Sequence, residues 1–146
     1  MSTAIASKPS LTLKRRLKAP PAKVFGAWTD PQKMMRWWGP AGAETLQAEA
    51  DARIGGRFRV IFRTPNGEKH DVSGIYREVV ADEKLVFTWA WRSTPERESL
   101  VTVALKSDGQ GTLLTLTHEQ FFDEAARDGH RGGWTGALDR LEQYMS

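Results

Sequence analysis

The chain has 146 residues, a formal net charge of +3, 40% hydrophobic and 27% charged residues. That length and balance suit one globular domain with its own core and exclude a disordered or fibrous chain. Cysteine is absent, which removes disulfides, thiolate metal sites and a cysteine nucleophile, and suits a reducing, cytoplasmic setting.

The longest apolar run, Leu85 to Trp91, has seven residues and contains Thr88, far short of the roughly 20 that span a bilayer. Charge is spread unevenly. Six basic and no acidic residues precede Asp30, and 15 basic and 18 acidic residues make up the rest. A basic arm of this kind suits nucleic acid or an anionic membrane. The plainer reading, which we prefer, puts Lys14, Arg16 and Lys18 on the solvent side of an edge strand. Residues 1–10 read as a flexible tail without the apolar stretch of a signal peptide, and residues 11–146 as one domain.

In chain order, Leu11, Leu13, Arg15 and Leu17 share one face of a period-2 segment, which predicts a half-buried strand over 11–18. Pro20-Pro21 stops it, and Val24, Phe25 and Trp28 recur at helical spacing, predicting a helix over 21–29. Asp30-Pro31 restarts the pattern as an N-cap and first helical residue, for a second helix over 31–37 that carries Met34, Met35 and Trp37, with Trp38 just beyond it. Six strands follow between 43 and 118. Phe58, Val60 and Phe62 alternate, as do Val72, Gly74 and Tyr76, and Leu85, Phe87, Trp89 and Trp91. Asn66-Gly67 is the strongest hairpin signal, and connections this short require antiparallel neighbours. Asp123 to Asp128 reads as a separate helical turn broken at Gly129. A final helix over 131–145 then presents Trp134, Leu138, Leu141 and Met145 as one stripe, with Asp139 and Glu142 toward water. Gly129, Gly132, Gly133 and Gly136 are expected to let this helix approach the sheet closely. The pattern is α+β: one amphipathic helix across one curved antiparallel sheet.

Catalytic and cofactor motifs are missing. His118-Glu119 begins like a zinc-protease motif but puts Phe122 where the second histidine must be. No P-loop and no nucleophile elbow occurs. Gly56-Arg57-Phe58-Arg59 departs from the RNA-binding sheet signature, and a long helix needs the face that RNA would use. No metal, cofactor or nucleic-acid partner is therefore expected. His118, in phase with Leu114 and Leu116, points inward; it is either a core histidine bonded to a backbone carbonyl or a polar group in a cavity. Tyr76 poses the same choice. Asp51 and Arg53 before Gly55-Gly56 read as a structural turn.

Ala19 to Pro31 resembles the first helical segment of the SRPBCC superfamily, which includes lipid-transfer START domains and the major birch-pollen allergen. Arg36-Trp37-Trp38-Gly39-Pro40, Asp51 to Arg59, and Gly133-Trp134 with Leu138 and Leu141 narrow the likeness. Together they resemble the family named for homology to the activator of the heat-shock-protein-90 ATPase, over residues 11 to 145. The resemblance implies a helix-grip fold, a curved antiparallel sheet wrapped around a long C-terminal helix, with two short helices after the first strand. It often implies a hydrophobic pocket and no shared catalytic set. Nothing here corresponds to the N-terminal domain with which the eukaryotic co-chaperone engages its chaperone.

Three functions follow as expectations. The first is binding of a small hydrophobic or aromatic molecule between sheet and helix. Its cavity would be lined from the sheet by Phe58, Val60, Phe62, Tyr76, Phe87 and Trp89, with Leu116 and His118 from the last strand. Trp134 and Leu138 would face them from the helix, and Phe25, Trp28 and Trp38 would cover the mouth. Coordinates that place His118 and Tyr76 outside any shared cavity would sink the binding reading and leave a solid core with a surface function. The second is a stress-response, co-chaperone-like partner that exposes Met34-Met35 and Trp37-Trp38. The third is a cyclase- or hydrolase-like enzyme in which His118 would be the weak catalytic candidate.

Overall fold

A computed structural model describes residues 8–146. Of the expected tail only residues 8–10 are described; there the Pro9 carbonyl accepts the Phe121 N–H at 3.2 Å. The elements are β1 (Leu11–Leu17), α1 (Pro21–Thr29), α2 (Pro31–Met34), β2 (Glu44–Ala50), β3 (Arg57–Arg63), β4 (Lys69–Val80), β5 (Lys84–Trp91), β6 (Ser99–Asp108), β7 (Gly111–Glu119) and α3 (Glu124–Tyr144). The strands form one antiparallel sheet in the order β1-β7-β6-β5-β4-β3-β2. The α1–α2 segment carries the chain from one sheet edge to the other. Bulges in β2 between Thr45 and Gln47 and in β4 between Tyr76 and Glu78 add the bend that curls the sheet. This is the helix-grip arrangement expected from the sequence.

Local chemistry explains the element ends. Pro21 opens α1, and the Asp30 carboxylate caps α2 by accepting the Gln32 N–H at 2.9 Å. The β3–β4 hairpin turns at Gly67, whose φ of +88° suits glycine.

Two helices differ from expectation. α2 ends at Met34 because the next turn tightens: Arg36 and Trp37 donate to carbonyls three residues back, Lys33 and Met34. That tight turn brings both Trp37 and Trp38 inward, to 0% and 3% exposure. α3 is continuous from Glu124, with no break at Gly129. The Asp123 side chain caps it by accepting the Ala126 N–H at 2.8 Å. Cap and tertiary burial of the stripe outweigh a glycine penalty of about 1 kcal/mol per residue.

The core joins the inward faces of the sheet to Trp134, Leu138 and Leu141 of α3 and to Val24, Trp28, Met34 and Trp37 of the short helical segment. Trp28 meets Trp37 edge-on at 4.7 Å between ring centroids, and Trp89 lies 5.0 Å from Trp134. Asp139 and Glu142 do not simply face water. Arg15, on the helix side of β1, pairs with Asp139 at 2.6 Å and lies 3.5 Å from Glu142.

Candidate functional site

The first turns of α3 present small residues to the sheet: Ala125, Ala126, Gly129 and Gly133. A Cβ added at Gly129 or Gly133 would meet nothing within 4 Å. These glycines therefore do not bring helix and sheet together, contrary to expectation; they leave a gap. Gly132 also faces open space, and only Gly136 makes a close approach, with an added Cβ 2.5 Å from the Ala41 backbone nitrogen. The gap is a partly open groove of about 860 Å³ between α3 and the adjoining ends of β3, β4 and β5. Its apolar wall is aromatic: Trp38, Phe62, Trp89, Trp91 and Trp134. Trp38 stacks on Trp89 at 6.1 Å with 19° between planes.

Two histidines, His118 buried and His130 half-buried, hold the indoles in place. The Trp89 and Trp91 Nε1–H groups both donate to His130 Nε2, at 3.2 and 3.0 Å, and His130 Nδ1–H donates to the Ala126 carbonyl at 2.7 Å. An indole nitrogen is only a donor, so His130 must be neutral with its proton on Nδ1. Burial lowers its pKa, opposed by the bond to Ala126. Trp134 Nε1–H donates to His118 Nδ1 at 2.9 Å, and His118 Nε2–H donates to the Ser99 hydroxyl at 2.7 Å. Ser99 passes the chain on to the Trp89 carbonyl at 3.3 Å. Burial, with His130 nearby, pushes His118 down to about 2. It is a fully buried core histidine, satisfied by side chains rather than by the expected backbone carbonyl.

Charge gathers at one rim. Arg59 holds both oxygens of Asp71, Nε to Oδ1 at 3.0 Å and Nη2 to Oδ2 at 2.7 Å. Arg92 approaches the same carboxylate at 3.7 Å. The Arg59 hydrogen bonds keep Asp71 below the usual carboxylate range. His70 lines the groove nearby, its ring stacked on Phe62 at 5.2 Å with 25° between planes. Among the described residues no group of three or more His, Cys, Asp or Glu could hold a metal ion.

Of the cavity residues expected from sequence, the structure brings Trp38, Phe62, Trp89 and Trp134 together on the groove wall. Trp28, Phe58, Val60, Tyr76, Phe87, Leu116, His118 and Leu138 lie instead in the close-packed core, and Phe25 packs against it. Tyr76 is 2% exposed, and burial, with the Asp51 carboxylate nearby, raises its phenol pKa. A cavity shared by His118 and Tyr76 is thus replaced by solid core, and the void lies beside His118, on the far side of His130 and Trp134. Engaged at both nitrogens and outside the groove, His118 has no ring nitrogen to offer a substrate. Asp51 and Arg53 form the expected turn, paired at 2.8 Å. Trp91, His70 and His130 line the groove outside the expected set, though each falls on a pattern already read: Trp91 follows Trp89 by two on β5. His70 precedes Val72 by two on β4, and His130 precedes Trp134 by one helical turn.

Comparison with known proteins agrees with this fold. A family model described as activator of Hsp90 ATPase homolog 1-like protein matches residues 18–146. The chain belongs to this family. Solved structures similar to this family member include a protein of Chromobacterium violaceum, 28% identical with a TM-score of 0.81, over 94% of this chain and 97% of that one. The AHSA1 protein of Silicibacter pomeroyi is 28% identical, TM-score 0.82, covering 93% and 96%. A protein of Rhizobium leguminosarum is 30% identical, TM-score 0.77, covering 94% and 93%. No curated protein matches. Membership supports a ligand-binding or co-chaperone-like role at that level of detail. No helix among the described residues is long and apolar enough to cross a membrane.

Proposed function

We propose that this member of the family binds a small, flat hydrophobic or aromatic molecule in the groove between α3 and the β3–β5 end of the sheet. The observation that carries the reading is the groove itself. Its volume of about 860 Å³ falls in the range of small-molecule sites. A close-packed domain leaves few voids larger than a water, so an opening of this size stands out against the filled core beside it. Its walls are indole and phenyl rings on one side and glycine and alanine on the other, a slot suited to a planar ring.

Binding of N-phenyl-1-naphthylamine, followed by its fluorescence, tests this. Wild-type protein should bind with micromolar affinity. Gly133→Leu should weaken binding at least tenfold, because the new side chain enters the empty slot, while the protein stays folded. Absence of binding, or equal binding by Gly133→Leu, would remove the reading. Of the contact patch expected for the co-chaperone-like alternative, Met34, Trp37 and Trp38 are buried and Met35 is half-buried, which gives that reading little surface to use.

A further inference from the structure

Hydrogen-bond accounting, which rests on the groove reading, narrows the ligand. Three of the four groove tryptophans have committed N–H groups: Trp89 and Trp91 to His130, and Trp134 to His118. His130 is committed at both nitrogens. Two groove groups remain under-used. The Trp38 Nε1–H makes no hydrogen bond to any described residue, and Trp38 lines the groove. His70 Nε2 has only a long contact to the Thr64 hydroxyl at 3.4 Å and the Glu68 carboxylate at 3.8 Å, and its Nδ1 has no partner among the described residues.

The charged groups of the lining are Lys69, Asp71 and Arg92. His70 shares the inward phase of β4 with Val72, whereas Lys69 and Asp71 take the opposite phase. Arg92 accompanies Asp71, already engaged by Arg59. The acid nearest His70 is Glu68. A neutral hydroxyl suits the vacant groups, since it donates to a ring nitrogen and accepts from an indole N–H.

We infer that the groove takes a planar aromatic bearing a neutral hydroxyl, a phenol-class ligand whose hydroxyl is read by His70, with the rings held between the tryptophan wall and Gly129 and Gly133. His70, stacked on Phe62 in the groove lining, is then the residue that sets specificity.

The test compares 2-naphthol with naphthalene by NMR titration of wild type, His70→Phe, His70→Gln and Gly133→Leu. Wild type should prefer 2-naphthol by roughly fivefold to tenfold, the worth of one hydrogen bond. His70→Phe, which keeps a ring on Phe62, should level the two while binding naphthalene as before. His70→Gln should restore part of the preference, and Gly133→Leu should weaken both. Equal affinities in wild type, or a preference that survives His70→Phe, would overturn the inference and leave the groove reading standing. Failure of both compounds to bind would remove the groove reading and this inference together.

Discussion

The two ends of α3 face the same curved sheet and do opposite things. From Trp134 onward the helix presents large side chains, and Trp134, Leu138 and Leu141 are 4%, 0% and 0% exposed. Before Trp134 it presents Ala125, Ala126, Gly129 and Gly133, and the space they vacate is the groove. Two neutral histidines, their ring centroids 5.1 Å apart, accept indole N–H groups at the boundary between the two ends. His118 is sealed in the core behind the groove wall with both nitrogens used, and His130 stands on that wall fixing two tryptophans. Side-chain size along one helix, more than the sheet, separates structure from candidate function.

The sharpest way to break this comparison is at its boundary. Trp134→Ala should destabilise the protein by about 3–5 kcal/mol, since it opens a cavity and leaves His118 Nδ1 without its donor. Chemical denaturation measures it, and a loss under about 1 kcal/mol would mean that the filled half is not cooperative with the helix. The next effect is pH dependence. His118 binds its proton only near pH 2 when folded and near the ordinary 6.5 when unfolded. Its contribution is therefore fully present above about pH 7 and is lost as acid protonates the unfolded chain. Between pH 6 and 4 stability should fall by about 1.4 kcal/mol per pH unit from this group, more where His130 adds its own lowered pKa. His118→Gln should flatten that slope, and an unchanged slope would contradict the sealed-histidine account.

At the open end the sign reverses. Gly133→Leu should leave stability unchanged or raise it by up to about 1 kcal/mol through helix propensity, as read by thermal melting, even while it fills the slot. A clear destabilisation would mean that the gap is not available to a side chain. The smallest effect belongs to the rim of β1: Arg15→Ala should cost less than about 1 kcal/mol, because its partners Asp139 and Glu142 are well exposed.

The fold was legible because each strand shows its phase: Phe58, Val60 and Phe62 are buried where alternation puts them, as are Leu114, Leu116 and His118. The site was legible only in part. Alternation tells which residues face the helix but not how far the helix stands from them: Phe58, Tyr76 and Phe87 have the phase of cavity lining, yet they meet ring to ring, 5.0 to 6.0 Å apart. The standoff is written in residues 125–133 of α3. Read as a broken helix, those glycines suggested close approach; capped by Asp123 and continuous, they make the opening.

Six tryptophans divide the molecule along the same line: Trp38, Trp89, Trp91 and Trp134 line the groove, whereas Trp28 and Trp37 lie in the closed half. Titrating N-phenyl-1-naphthylamine while following the indole N–H resonances therefore tests the central claim directly. The account predicts that the largest shifts fall on the four groove indoles, with Trp28 and Trp37 little moved. Shifts centred on Trp28 and Trp37, or none at saturating dye, would contradict it.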